Sequence, residues 1–163
     1  MSNGIKVKKR NGRGTEALDL EKMHKMVEEA TKGVAGVSAS QVEIQSGIQF
    51  YDGITTDEIQ EILIKSASDL IDLDHPNYQF VSARLLLFAI RKQIYGKMRE
   101  LPHLETHIMN CTSQDVYDKD IFTKYSKEEI DKVNGYIDHE RDFLFTYAGL
   151  RQVVDKYLVQ DRS

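Results

Sequence analysis

The stretch from Tyr78 to Tyr95 most restricts the folds open to this chain. It carries Phe80, Val81, Leu85, Leu86, Leu87, Phe88, Ile90 and Ile94, which together occupy most of a helix circumference. A helix that is apolar nearly all round is stable only when other elements surround it. His75-Pro76-Asn77 sets its start, and Gly96 followed by Pro102 sets its stop. No apolar run in the sequence approaches the roughly 20 residues that span a bilayer, so the covering layer must be protein. The Tyr78–Tyr95 helix is therefore expected at the centre of the fold.

The segments before it supply the cover. Ile54-Thr55-Thr56-Asp57-Glu58-Ile59 is a complete helix start: Thr55 and Glu58 form a capping box, and Ile54 with Ile59 forms a hydrophobic staple. Ile59, Ile62, Leu63, Ala67, Leu70 and Ile71 then follow a 3.6-residue stripe. Ser38 and Gln41, flanked by Val37 and Val42, repeat the device for a short helix anchored by Val42, Ile48 and Phe50 and ended by Asp52-Gly53. Asp19 is suited to cap a helix from Leu20, with Met23, Met26, Val27 and Ala30 apolar and Gly33 beyond its end.

Ahead of these helices lies a basic stretch of a different period. Ile5-Lys6-Val7-Lys8-Lys9 alternates as a strand does, and Asn11-Gly12 is a strong hairpin turn signal. Lys6, Lys8, Lys9, Arg10 and Arg13 fall within eight residues. By alternation Lys9 shares a side with Ile5 and Val7, while Lys6 and Lys8 share the other. A cation on a covered face needs an anion. Glu16 or a bound phosphate would serve; a solvated basic hairpin is the alternative. Lys92 is four residues from Phe88 and seven from Leu85, on the apolar stripe of the central helix. It is a second cation expected to face inward, unless its stem lies along the core and its head reaches water.

Beyond residue 98 the composition turns polar and acidic, and a boundary is placed there: 1–98 and 99–163. Leu104, His107, Ile108 and Cys111 indicate a short helix, and Ser113 to Lys119 a loop. Ser126-Lys127-Glu128-Glu129 is a third capping box, opening a helix with Ile130, Val133 and Ile137. Phe143 to Leu158 reads as a last helix with Phe145, Leu150, Val153, Val154 and Tyr157 apolar. These short helices make a thin core, expected to need a partner surface. The fold class is thus α+β and mostly α: an N-terminal β-hairpin on four helices, then a small all-helical segment.

Composition narrows the chemistry. Hydrophobic residues are 40% and charged residues 29% of the 163, the balance of a globular protein. The polar N-terminus has no apolar signal core, and a single cysteine points to a reducing compartment, so a cytoplasmic location is expected. That one cysteine, Cys111, excludes an internal disulfide and any reaction needing a cysteine pair within this chain. A net charge of −4 argues against a chain-wide nucleic-acid footprint. The histidines show no metal spacing. Asp138-His139-Glu140-Arg141-Asp142 would set Asp138 and Asp142 on one helical face, but Arg141 pairing with the neighbouring acids accounts for it as well. No Walker-type loop or dinucleotide fingerprint occurs. What remains is a set suited to a triphosphate: lysines and an arginine for charge-assisted bonds, and helix starts after Asp19 and Thr55 for backbone donors. Met23 and Phe50 would wall an adenine slot, and Glu16 would read the exocyclic amine.

An ordered set of segments then resembles the ATP-cone, the regulatory nucleotide-binding domain at the N-terminus of ribonucleotide reductase large subunits. They are Val7-Lys8-Lys9-Arg10-Asn11-Gly12, Leu18-Asp19-Leu20-Glu21-Lys22, Gln49-Phe50-Tyr51-Asp52-Gly53-Ile54-Thr55-Thr56, Ile64-Lys65-Ser66-Ala67, Pro76-Asn77-Tyr78-Gln79-Phe80-Val81-Ser82-Ala83-Arg84-Leu85 and Arg91-Lys92-Gln93-Ile94-Tyr95-Gly96. Tyr125-Ser126, Asp138 to Asp142 and Phe145-Thr146-Tyr147-Ala148 are similar to the helical segment that follows the cone in class Ia large subunits. The resemblance implies nucleotide contacts at Lys9, Arg10, the run Glu16, Ala17, Leu18, Asp19, Leu20, Glu21 and Lys22, and at Thr56 and Lys92. With Met23 and Phe50 these form the candidate ATP or dATP site, with Mg²⁺ arriving only on the nucleotide and no catalytic residue. Positions where the family carries regulatory histidines hold Gln60 and Ala89. The resemblance further implies an overall-activity switch in deoxyribonucleotide synthesis for DNA replication. Its partners would be the rest of the large subunit, or a separate catalytic chain, and a small radical-generating subunit. The chain alone would not be catalytic. The rival from another class is a helical interaction module whose basic hairpin binds nucleic acid or an acidic partner.

Overall fold

The computed structural model describes residues 4–9 and 14–158. Arg10, the Asn11-Gly12 turn and Arg13 lie outside the described residues. Strands β1 (Lys6–Lys8) and β2 (Thr15–Ala17) pair antiparallel, with Val7 opposite Glu16. The Leu18 N–H donates to the Ile5 carbonyl at 2.8 Å and extends the ladder. A third strand, β3 (Ile54–Thr55), adds parallel to β1 with Val7 beside Ile54, giving the order β2-β1-β3. The sequence gives no sign of β3. Two residues are too short to show a period, and parallel pairing needs a long crossover. The turn before β3 pins it: the Lys6 N–H donates to Asp52 Oδ1 at 2.8 Å, and the Gly53 N–H donates to the Lys6 carbonyl at 2.8 Å. Gly53 has φ +85°, a conformation that suits glycine.

Helices α1 (Leu20–Thr31), α2 (Ala39–Gly47), α3 (Thr56–Asp69) and α4 (Tyr78–Tyr95) follow. Asp19 caps α1 through the Lys22 N–H at 3.1 Å. Thr55 and Glu58 form the full capping box of α3. On α2 only half the expected box is formed: Ser38 Oγ accepts from the Gln41 N–H at 3.4 Å. Ile48 is not an anchor of α2, since it lies past the helix end and is 77% exposed. Leu70 and Ile71 likewise fall beyond the last residue of α3.

The apolar helix α4 is the centre, with Val81, Ala83, Leu85, Leu86, Leu87 and Phe88 all buried. Small residues let neighbours approach it. Ser82 is fully buried and donates to the Ile64 carbonyl of α3 at 3.0 Å. The Arg84 guanidinium donates to the Ala30 and Lys32 carbonyls at 3.2 and 2.8 Å, closing the C-terminal end of α1 with a cation. The Tyr78 hydroxyl accepts from the Ser38 N–H at 3.0 Å and ties α4 to the start of α2.

The chain divides into two compact units, Met1–Ala89 with Phe143–Ser163, and Ile90–Asp142. This differs from the compositional boundary near 98. The division falls inside α4, and the last helix groups with the first unit. Phe143 meets Phe88 edge-on, ring centres 6.1 Å apart, and lies under the Arg84 guanidinium at 5.2 Å. The final helix, α8 (Tyr147–Lys156), begins at a Thr146 cap rather than at Phe143, and buries Leu150. Tyr157, read as apolar cover, is 72% exposed. The second unit holds α5 (Leu104–Ser113), the single turn α6 (Ile121–Lys124) and α7 (Lys127–Asn134), which has the expected Ser126–Glu129 box. Ile108 and Ile130 form its core, whereas Val133 and Ile137 are exposed at 52% and 42%. Among the described residues no helix is long and apolar enough to cross a membrane.

Candidate functional site

The hairpin shows how a strand pair presents charge. Val7 is buried, 3% exposed, and Ile54 beside it is 0% exposed, so that side of the sheet is covered beneath β1 and β3. All three residues of β2 are exposed. Glu16 is opposite Val7, and Lys9 is two positions past Val7, so both belong to the side that Val7 buries. That side is thus closed under β1 and open under β2. Lys9 and Glu16 occupy the open part, diagonal neighbours joined Nζ to Oε2 at 2.8 Å. Lys9 is therefore not a covered cation. Its side chain is 44% exposed, and it pairs with Glu16.

Helix starts flank the hairpin. Because β2 runs back along β1, α1 begins beside the Lys6 end. Because β3 runs forward, α3 begins just past the Lys8–Thr55 pair, so Thr56 follows at the Lys9 end. Thr56 is half-buried as the first residue of α3. Lys22 Nζ lies 3.2 Å from Asp19 Oδ2. The Lys9 hydrogen bond, with the charges of Lys9 and Lys22, holds the Glu16 carboxyl below the usual range, against desolvation and the charge of Asp19. Hydrogen bonds from the Lys22 backbone and side chain depress Asp19 likewise. Lys9, Glu16, Asp19 and Lys22 thus form one electrostatic group. Ala17 and Leu20 are exposed beside it, Leu18 and Met23 are half-buried, and Glu21 is exposed and paired with Lys25 at 2.7 Å. Phe50 is half-buried in the segment ahead of β3.

Lys92 departs from expectation. It is exposed, and the buried cation of α4 is its neighbour Arg91, 6% exposed. Arg91 lies in the second unit, where it donates to Asp142 Oδ2 at 2.7 Å and to the His139 carbonyl at 3.3 Å. This also settles the Asp138–Asp142 run. Those residues enter a 3-10 turn (His139–Leu144), Asp138 accepts from the Glu140 N–H, and Asp142 pairs with Arg91 rather than with Arg141. Gln60 is buried and Ala89 half-buried. His103, Glu105 and Asp131 bring donor atoms within 4.8 Å of one another in the second unit, a grouping that histidine spacing does not reveal. Each is already engaged: His103 Nε2 lies 3.6 Å from Asp131, and Glu105 lies 3.5 Å from Lys127.

Two features of the first unit escaped sequence reasoning. The Tyr51 hydroxyl donates to Glu58 Oε1 at 2.7 Å, while Thr55 donates to Glu58 Oε2 through both N–H and hydroxyl at 2.8 Å. The Thr55 backbone bond, then Tyr51, the Thr55 hydroxyl and the charge of Lys8, depress the Glu58 carboxyl. The capping box announces Glu58, but nothing local announces Tyr51. His24 of α1 meets Glu43 of α2 at 2.7 Å and Glu28 at 3.3 Å.

Comparison with known proteins places the chain in a family. Residues 5–93 match the ATP cone domain. The chain is similar to ribonucleoside-diphosphate reductase 1 subunit alpha of Escherichia coli (strain K12), 44% identical over 99% of this chain and 21% of that protein. It is 43% identical to the Haemophilus influenzae ribonucleoside-diphosphate reductase subunit alpha, over 99% of this chain and 21% of the relative. The enterobacteria phage T4 subunit alpha is 40% identical over 91% of this chain and 20% of its own length. The chain therefore spans about a fifth of these relatives. Since the domain match takes in more than half of its residues, the chain belongs to the ATP-cone family, in the form found in the N-terminal region of ribonucleoside-diphosphate reductase alpha subunits.

Proposed function

We propose that residues 1–98 bind ATP or dATP, with Mg²⁺ carried on the triphosphate, as the overall-activity switch of a ribonucleoside-diphosphate reductase alpha subunit. The observation that carries this reading is the open core side of the hairpin, where Lys9, Glu16, Asp19 and Lys22 form one charged group beside exposed Leu20 and Ala17. Lys9, Lys22 and Arg10 would meet the phosphates, with the N–H groups that start α3 at Thr56. Glu16 would accept from the exocyclic amine, and Leu18, Met23 and Phe50 would pack against the base. Glu21 would add charge at the start of α1.

One cysteine cannot supply a redox pair, so the role is regulatory. The reduction of ribonucleoside diphosphates would belong to the remaining part of the large subunit, or to a separate catalytic chain, working in the cytoplasm with a small radical-generating subunit. Two nucleotides that bind at one place switch activity in opposite senses only by favouring different states of the protein, here proposed to be alternative assemblies. Calorimetric titration of ATP and dATP with Mg²⁺ into the 163-residue chain tests the reading. Saturable binding of both is expected. Absence of heat at millimolar nucleotide overturns it, and binding that ignores the base and falls steeply with salt favours a basic interaction module instead.

A further inference from the structure

Two lysines at the hairpin already have a carboxylate. Lys22 pairs with Asp19, and Lys9 with Glu16. The two carboxylates are held differently. Asp19 is fixed, because it also caps α1 by accepting from the Lys22 N–H at 3.1 Å. Glu16 projects from the exposed strand β2, and its side chain is 46% exposed, so rotation about its own bonds carries the carboxylate away without disturbing the ladder. A phosphate brought to the Lys9 ammonium beside Glu16 would place two anions on one exposed cation. Their repulsion opposes that arrangement, and the weaker anion leaves.

Resting on the nucleotide reading above, we infer that Glu16 is a built-in competitor for the Lys9 ammonium: a bound polyphosphate takes Lys9 from Glu16, and the released carboxylate becomes free to accept from the base. Glu16 then lowers affinity for the phosphate part of any ligand and restores it only for a ligand whose base offers a donor. It is a specificity-determining residue whose cost falls on every polyphosphate and whose gain falls on adenine nucleotides. An exposed ion pair is worth little, so the effect is modest.

The probe that isolates the competition is inorganic tripolyphosphate, which has no base. Its affinity for the 163-residue chain is measured by calorimetry at low salt, alongside ATP. Glu16→Gln is expected to bind tripolyphosphate about two- to fivefold more tightly than the parent chain. Glu61→Gln, which removes an exposed carboxylate from α3, controls for net charge and is expected to give a smaller gain. In a Lys9→Gln background the Glu16→Gln gain is expected to shrink to that of the control, since a residue acting through Lys9 has nothing left to release. The ratio of ATP to tripolyphosphate affinity is expected to fall in Glu16→Gln. If ATP binds the parent chain but Glu16→Gln brings no gain for tripolyphosphate, or a gain that survives loss of Lys9, the competition is overturned and the nucleotide reading stands. If the parent chain binds neither ligand, both are overturned.

Discussion

Arg91 and Lys92 are consecutive on one helix and face opposite environments. The step of about 100° per residue turns Arg91 into the second unit at 6% exposure and leaves Lys92 at the surface. Position on a stripe was a weak guide here because α4 is apolar nearly all round, so every direction resembles an inward one. A buried guanidinium is tolerated because Asp142 and the His139 carbonyl receive it. Arg91→Ala removes one partner of this pair and leaves a carboxylate that is 35% exposed. The expected loss is about 2 kcal/mol, less than for a fully buried pair because water reaches Asp142. Urea unfolding of the variant against the parent chain measures it, and an unchanged midpoint would show that the pair contributes nothing net.

At the level of elements, α1 and α2 are joined by a titratable contact. His24 sits between Glu43 at 2.7 Å and Glu28 at 3.3 Å. The Glu43 hydrogen bond and charge, with help from Glu28, raise the imidazole above its ordinary value of about 6.5. A group raised on folding adds stability that is complete below the unfolded value. That stability is lost as pH rises through the raised folded value. The α1–α2 contact should therefore weaken above about pH 6.5 and level off at higher pH. The difference in melting temperature between the parent chain and His24→Gln, measured from pH 6 to 9, is expected to shrink as pH rises. A difference that is flat with pH would show that the charged imidazole is not what joins the helices.

For the molecule as a whole, the first unit depends on the chain's return. Phe88 is 0% exposed, and Phe143 lies against its ring. Phe143 also lies beneath Arg84, the residue that closes α1. A chain cut after residue 98 lacks Phe143, Leu150 and α8. Opening the face of a buried aromatic side chain costs at least about 1 kcal/mol, so the cut chain is expected to melt about 5 °C or more below the full chain. Equal melting temperatures would mean that the first unit is complete without the return and that the boundary near 98 describes it adequately.

The sequence by itself determined the parts whose causes are local. Capping boxes at Thr55–Glu58 and Ser126–Glu129, the Asp19 cap, the strand alternation of Lys6-Val7-Lys8 and the enclosure of α4 all follow from residues within a few positions of one another. They were legible because caps and periods are short-range. The charged group of the candidate site was legible for the same reason: Lys9 and Glu16 share a side of a hairpin, and Lys22 is one turn into the helix that follows. Only the tertiary structure decided the rest. The two-residue strand β3 exists because α1 and α2 carry the chain back beside β1, and it is β3 that brings Thr56 to the Lys9 end. Tyr51 finds Glu58, and Arg91 rather than Lys92 becomes the buried cation, through contacts that no spacing encodes. Whether Lys9 is a covered charge or an open one depended on what lies beneath β2, and nothing in β2's own residues reports that they stay exposed while Val7 beside them is buried.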